Sequence, residues 1–143
     1  MTLTNDNLFS EPYNQIKSFL EGINSLDPRN RYKANWIHAS LPNINQKGFD
    51  GYPFIVLKVD VNEEENSVDN SVSIKVFRIM IGVYSDDASQ VDTISDAIYS
   101  NLKSSLTEFK NKGLSSSPIS WDLDMSGKKI SFRNIGIIAR RRL

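Results

Sequence analysis

The 143-residue chain has no cysteine. Disulfides, thiolate zinc sites and cysteine nucleophiles are excluded with it, and the redox compartment leaves no mark on the sequence. Histidine occurs once, at His38. No glycine-rich loop is present to cradle a phosphate. No excess of one charge exists: 17 Lys and Arg balance 17 Asp and Glu. That balance argues against a dedicated double-stranded DNA binder, which carries a clear basic surplus; only a local basic patch is left open. No apolar run approaches the roughly 18 residues of a membrane span. The N-terminal "MTLTNDNLFSEPYN" has neither the basic region nor the apolar core of a secretory signal, so the chain is expected to be soluble and intracellular when made. Repeats and linkers are also lacking, which predicts a single domain over residues 1–143, long enough to bury most of its apolar side chains in one core.

What is there is patterning. Residues 1–9 read as a loose arm. A helix is predicted from about Ser10, with Pro12 tolerated in its first turn and Ile16, Phe19, Leu20 and Ile23 on one face. "SLDPRNRYK" ends it, and a short strand is expected in "ANWIHA", residues 34–39. In "YPFIVLKVDV", Ile55, Leu57, Val59 and Val61 alternate toward a core. The polar, acidic stretch 62–71, "NEEENSVDNS", reads as a projecting hairpin loop. The next strand, from Val72 to about Ser85, is apolar on both faces. Phe77, Ile79, Ile81 and Val83 share one, and Val72, Ile74, Val76 and Met80 the other, so both sides need a cover, supplied by the fold or by a partner. Asp87 is placed to cap a helix, with Gln90 at capping-box spacing. Val91, Ile94, Ile98, Leu102, Leu106 and Phe109 then step at helical intervals to a stop near Gly113. After a serine-rich turn, Ile119, Trp121, Leu123 and Met125 alternate with polar residues as a half-buried strand. In the last strand, "KISFRNIGIIARR", Ile130 and Phe132 are out of phase with Ile135 and Ile137, which predicts a bulge near Asn134–Gly136. The fold class is α+β: a mainly antiparallel twisted sheet of four to five strands with two helices packed on one side.

Candidate chemistry is sparse. His38 could serve as a general base, but no activated nucleophile accompanies it, and a structural histidine is the better reading. Asp122 and Asp124, about 7 Å apart on one strand face, could hold a metal, yet they also fit the solvated face of an amphipathic strand. Glu63, Glu64 and Glu65, with Asp60 and Asp69 nearby, lack the spacing and the glycine of an EF-hand loop. Opposite them in sign stands Arg140–Arg142, and two such runs suit head-to-tail contacts between copies. Phosphate contact is the alternative for the arginines. Tyr52, Phe54, Phe77 and Phe132 could stack on RNA bases, although "ISFRNIGI" lacks the basic–glycine–aromatic run of an RRM, which favours core packing. Catalytic, metal and cofactor sites are therefore expected to be absent.

The stretch Val76–Leu102, "VFRIMIGVYSDDASQVDTISDAIYSNL", resembles a segment of phage tail terminator proteins, the minor tail proteins that close the head-proximal end of a tail tube. In that family a long strand ends in an aromatic, small or acidic residues follow, and a helix begins with small, acidic and aliphatic residues. The likeness extends to "YPFIVLKV" before it, to the final hairpin "ISWDLD…KKISFRNIGIIARR", and to the N-terminal helix. Related neck and head–tail joining proteins share the layout. The resemblance implies a non-enzymatic virion protein of the tail or neck, made in the host cytoplasm. It implies a hexameric ring seated on tail tube protein and facing a head-completion or connector protein, with DNA only passing through the lumen and no membrane contact. The expected interface comprises Glu63, Glu64, Glu65, Asp69, Val72, Ile74, Val76 and Arg140, Arg141, Arg142. The alternative is a small nucleic-acid-binding module using the sheet aromatics and the basic C-terminus.

Overall fold

The computed structural model describes residues 9–23, 25–29, 31, 36–42, 51–66, 73–105, 113–124 and 127–142. Among these residues, two helices and six strands follow one another as α1 (Ser10–Glu21), β1 (Ile37–His38), β2 (Phe54–Asn66), β3 (Ser73–Ser85), α2 (Ala88–Ser105), β4 (Gly113–Ser116), β5 (Ser120–Leu123) and β6 (Lys129–Arg142). They form an α+β domain around a six-stranded sheet of order β1-β2-β3-β6-β4, with β5 also paired to β6. All pairings are antiparallel except the short β1–β2 bridge. The sheet thus has one strand beyond the four to five expected: the short strand near residues 34–39 is present as β1, and the addition is β4, which is short and carries almost no periodic signal.

Both helices cover one face. Ile16 and Leu20 of α1, and Val91, Ile94, Ile98 and Leu102 of α2, are buried against Ile55 and Leu57, against Phe77, Ile79, Ile81 and Val83, and against Ile135, Ile137 and Ala139. Phe19, Ile23, Val59 and Val61 pack at the margin of this core. The alternation in β2 and β3 and the three-four stepping of α1 and α2 are therefore satisfied as expected, with bulky aliphatic and aromatic side chains excluded from water.

The acidic turn before α2 is a helix cap. The Asp87 carboxylate accepts hydrogen bonds from the Ser89 backbone N–H at 3.0 Å and from the Ser89 hydroxyl at 2.8 Å. Gln90 does not close the capping box directly. Its side-chain oxygen accepts from the Ser85 hydroxyl at 2.6 Å, and that hydroxyl accepts from the Asp87 N–H at 3.1 Å. The bonds from Ser89 hold the Asp87 carboxyl below its ordinary value. A group lowered in the folded state stabilises above its unfolded pKa, near 4, and loses that contribution as pH falls through the folded value. Asp87→Ala is accordingly expected to lower the urea midpoint at pH 7. Asp87→Asn, a comparable cap, should lower it less, and the gap between wild type and Asp87→Ala should narrow near pH 2.5.

Several local expectations are corrected. The acidic stretch is not wholly a loop: β2 continues to Asn66, and Glu63, Glu64 and Glu65 pair across to Val76, Lys75 and Ile74. The interruption is a register shift between Val61 and Glu63, which lets the ladder resume beyond the bulge. Residues 67–72, including Asp69 and Val72, lie outside the described residues. The expected bulge in β6 is absent, since its register with β3 is continuous from Ser131 to Arg142. Its change of apolar phase has another cause: Ile135 and Ile137 face the helices, while Phe132 joins an aromatic row on the opposite face. Gly113–Ser116, expected to be the end of a helix and a serine-rich turn, is instead a strand against Ile135–Ile138. Leu106 and Phe109 lie outside the described residues.

Candidate interaction surfaces

The sheet face away from the helices is partly covered: Phe54, Val56 and Val76 are buried on it. Along β2, β3 and β6 it presents Lys58, Asp60, Arg78, Met80 and Ile138, all exposed, with Met80 and Ile138 each 45% accessible. Val76, expected to need a neighbour's cover, is buried within the fold; Ile74 pairs with Glu65 and Arg142.

At one end of that face stands a row of rings. Phe54, Tyr84 and Phe132 are opposite one another in register. Phe54 and Tyr84 stack at 4.9 Å with 8° between planes, Tyr84 and Phe132 at 5.2 Å, and Tyr52 and Phe54 at 5.7 Å. His38 sets its ring edge-on against Phe54 at 5.9 Å, a packing role for the lone histidine. The Tyr84 ring also lies over Gly82, where a Cβ would come within 2.9 Å of it; glycine here lets the ring reach across the sheet. Burial raises the Tyr84 phenol above its ordinary value. Of the four aromatics considered for base stacking, Phe77 is in the core, and Tyr52, Phe54 and Phe132 turn their flat faces toward one another or toward Tyr84. That use of the π-faces leaves little for a nucleobase.

The most unusual surface is β5. Its pattern predicts a half-buried strand, yet Ile119, Trp121 and Leu123 are 38%, 60% and 56% exposed. The hairpin carrying them is nonetheless firmly built. Asp124 accepts the Lys128 N–H at 2.8 Å through its carboxylate and donates its own N–H to the Lys128 carbonyl at 2.9 Å. Gly127, with φ of +84°, makes the turn. Lys128 pairs with Asp86 at 2.7 Å, and the hydrogen bond to that carboxylate raises the lysine pKa. Lys129 sits 4.9 Å from the centre of the Trp121 ring. Asp122 and Asp124 are thus hairpin residues: Asp122 accepts the Leu123 N–H at 2.8 Å. No group of three or more His, Asp or Glu among the described residues is placed to hold a metal ion.

A cleft of about 460 Å³ runs between α2 and the β4–β6 edge, lined by Ser95, Asp96, Tyr99, Ser100, Ser116, Arg133 and Ile135. Arg133 is tied to Asp92 at 2.8 Å, and the buried Ser95 hydroxyl has no hydrogen-bond partner among the described residues. Among the described residues that line the cleft there is no histidine.

The two charged runs lie on the outer strands of one three-stranded ribbon, on either side of β3. Glu63, Glu64 and Glu65 of β2 and Arg140, Arg141 and Arg142 of β6 pair with the same residues of β3: Val76, Lys75 and Ile74. What sequence reasoning missed is a buried ion pair: Arg31 Nε meets the Asp27 carboxylate at 3.0 Å, both side chains largely shielded from water. Its only trace is the i, i+4 spacing in "DPRNR".

No family model matches the chain, and no curated protein matches it. No helix among the described residues is long and apolar enough to cross a membrane.

Proposed function

We propose that this protein is a non-enzymatic structural component of a phage virion, a tail terminator or closely related neck protein. In this reading it forms an oligomeric ring, six copies in the family it resembles, that closes the head-proximal end of the tail tube, joins it to the head–neck connector, and lets DNA pass through its lumen. The observation that carries the reading is β5: a strand patterned for burial and held in a well-bonded hairpin, in which Trp121 and Leu123 nevertheless remain more than half exposed. Three exposed large apolar residues at alternate positions suit a surface for another protein, and tryptophan is among the side chains enriched at the energetic centres of such contacts.

The test is Trp121→Ser/Leu123→Ser. Both residues are exposed, so the variant is expected to keep its stability within about 0.5 kcal/mol, measured by urea unfolding. Wild type is expected to form a high-mass species by light scattering and to bind tail tubes; the variant is expected to lose both. Undiminished assembly would overturn the assignment of β5 as a contact surface. Salt-dependent binding of single-stranded nucleic acid, abolished by replacing Arg140–Arg142, would favour the nucleic-acid module instead.

A further inference from the structure

We infer that copies of this chain join head to tail by pairing the acidic end of β2 in one copy with the basic end of β6 in the next, in parallel. The inference rests on the ring reading above and names the edges that would make it.

At the end of the sheet reached by Glu63 and Arg140, only three strands are paired among the described residues. β1 bridges β2 at Ile55 and Val56 alone, and β4 pairs with β6 no farther along than Ile138. The ribbon β2–β3–β6 therefore has two outer edges here, Glu63–Asn66 and Ala139–Arg142, with no strand partner among the described residues. Such edges present rows of backbone N–H and C=O groups that template further pairing.

Charge decides which edges can meet. One carries Glu63, Glu64 and Glu65, the other Arg140, Arg141 and Arg142. Joining β2 to β2, or β6 to β6, sets like charges against each other; joining β2 to β6 sets opposite charges together. The pattern rejects a two-fold contact and selects a heterologous one, the kind that closes into a ring or runs on as a filament.

Register supports the same arrangement. Glu63, Val76 and Arg140 form one row across the ribbon, Glu64, Lys75 and Arg141 the next, and Glu65, Ile74 and Arg142 the third. Both outer strands run antiparallel to β3 and hence parallel to each other. A second copy placed as a continuation of the sheet brings its Arg140, Arg141 and Arg142 beside Glu63, Glu64 and Glu65, row for row. Within one copy the two runs stand two strand spacings apart, about 10 Å, whereas across the junction they are nearest neighbours.

The test uses two full-length variants, Glu63→Lys/Glu64→Lys/Glu65→Lys and Arg140→Glu/Arg141→Glu/Arg142→Glu, checked for folding by circular dichroism. The first has two basic edges and the second two acidic ones, so each alone is expected to associate at least about a hundredfold more weakly than wild type. Mixed in equal amounts they regain complementary junctions, and the assembled mass should return by light scattering. Glutamine replacements at the same positions serve if a reversal fails to fold; they are expected to weaken assembly less and to remove its salt sensitivity. Full assembly of either reversal variant alone, or no recovery on mixing, would overturn the edge pairing while leaving the ring reading intact. A wild-type protein that stays monomeric, with or without tail tubes, would instead overturn the ring reading itself.

Discussion

Asp27→Ala is expected to destabilise the protein by about 3–5 kcal/mol, the cost of leaving a buried cation without its partner. The Asp27 carboxylate accepts from the Arg29 N–H at 2.9 Å, the Arg31 N–H at 2.9 Å and Arg31 Nε at 3.0 Å. Arg31 in turn donates to the Pro53 carbonyl just before β2 and lies 5.6 Å from the centre of the Trp36 ring. The pair therefore ties the segment after α1 to the approach of β1 and the start of β2. Burial alone would raise the Asp27 carboxyl, but the Arg31 side-chain bond and the two backbone donors together outweigh it and hold the group below its ordinary value. Its contribution should be complete above about pH 4 and drain away as pH falls through the folded value. Urea unfolding at pH 7 and pH 3 measures this: the wild-type advantage over Asp27→Ala should shrink at the lower pH. A double change, Asp27→Leu/Arg31→Met, should recover part of the loss, because two matched apolar groups leave no orphaned charge. A loss under about 1 kcal/mol, as for a solvent-screened surface pair, would show that the pair is not the anchor described.

Phe77→Ala should cost a similar amount, about 3–5 kcal/mol, through lost burial and the cavity left behind. Phe77 is fully buried on the helix-facing side of β3, among the aliphatic side chains that α2 covers. Domains of this kind are stable by about 5–15 kcal/mol in total, so the variant should sit close to unfolding at 37 °C, with a thermal midpoint many degrees below wild type. The comparison with Trp121→Ser/Leu123→Ser is instructive. Those three aromatic and aliphatic residues all stand on strands, but Phe77 should govern folding and the β5 pair assembly.

The parts of this fold that were legible share one property: a local period matched to a face that is truly covered. Ile55 and Leu57, Phe77 to Val83, and Val91 to Leu102 all announce their core positions by spacing alone, and Asp87 announces its helix by chemistry. The parts that were not legible depend on distant partners. The continuation of β2 through Glu63–Asn66 is imposed by the ladder with β3, since three consecutive glutamates have no preference for a strand. β4 is four mostly exposed residues, three of them glycine or serine, that exist as a strand because Ile135–Ile138 lies beside them. The phase change in β6 reads as a bulge until Tyr84 and Phe54 are seen to receive Phe132. In β5 the sequence signal was clear and the expected burial did not follow, which makes Ile119, Trp121 and Leu123 the informative exception. The two charged runs were visible at once; that they form opposite edges of one ribbon required the register.

The most direct measurement is negative-stain imaging of purified tail tubes incubated with the wild-type protein, beside light scattering of the protein alone. A ring seated on one end of each tube is the predicted result. Bare tube ends, together with a strictly monomeric protein at high concentration, would contradict the assignment.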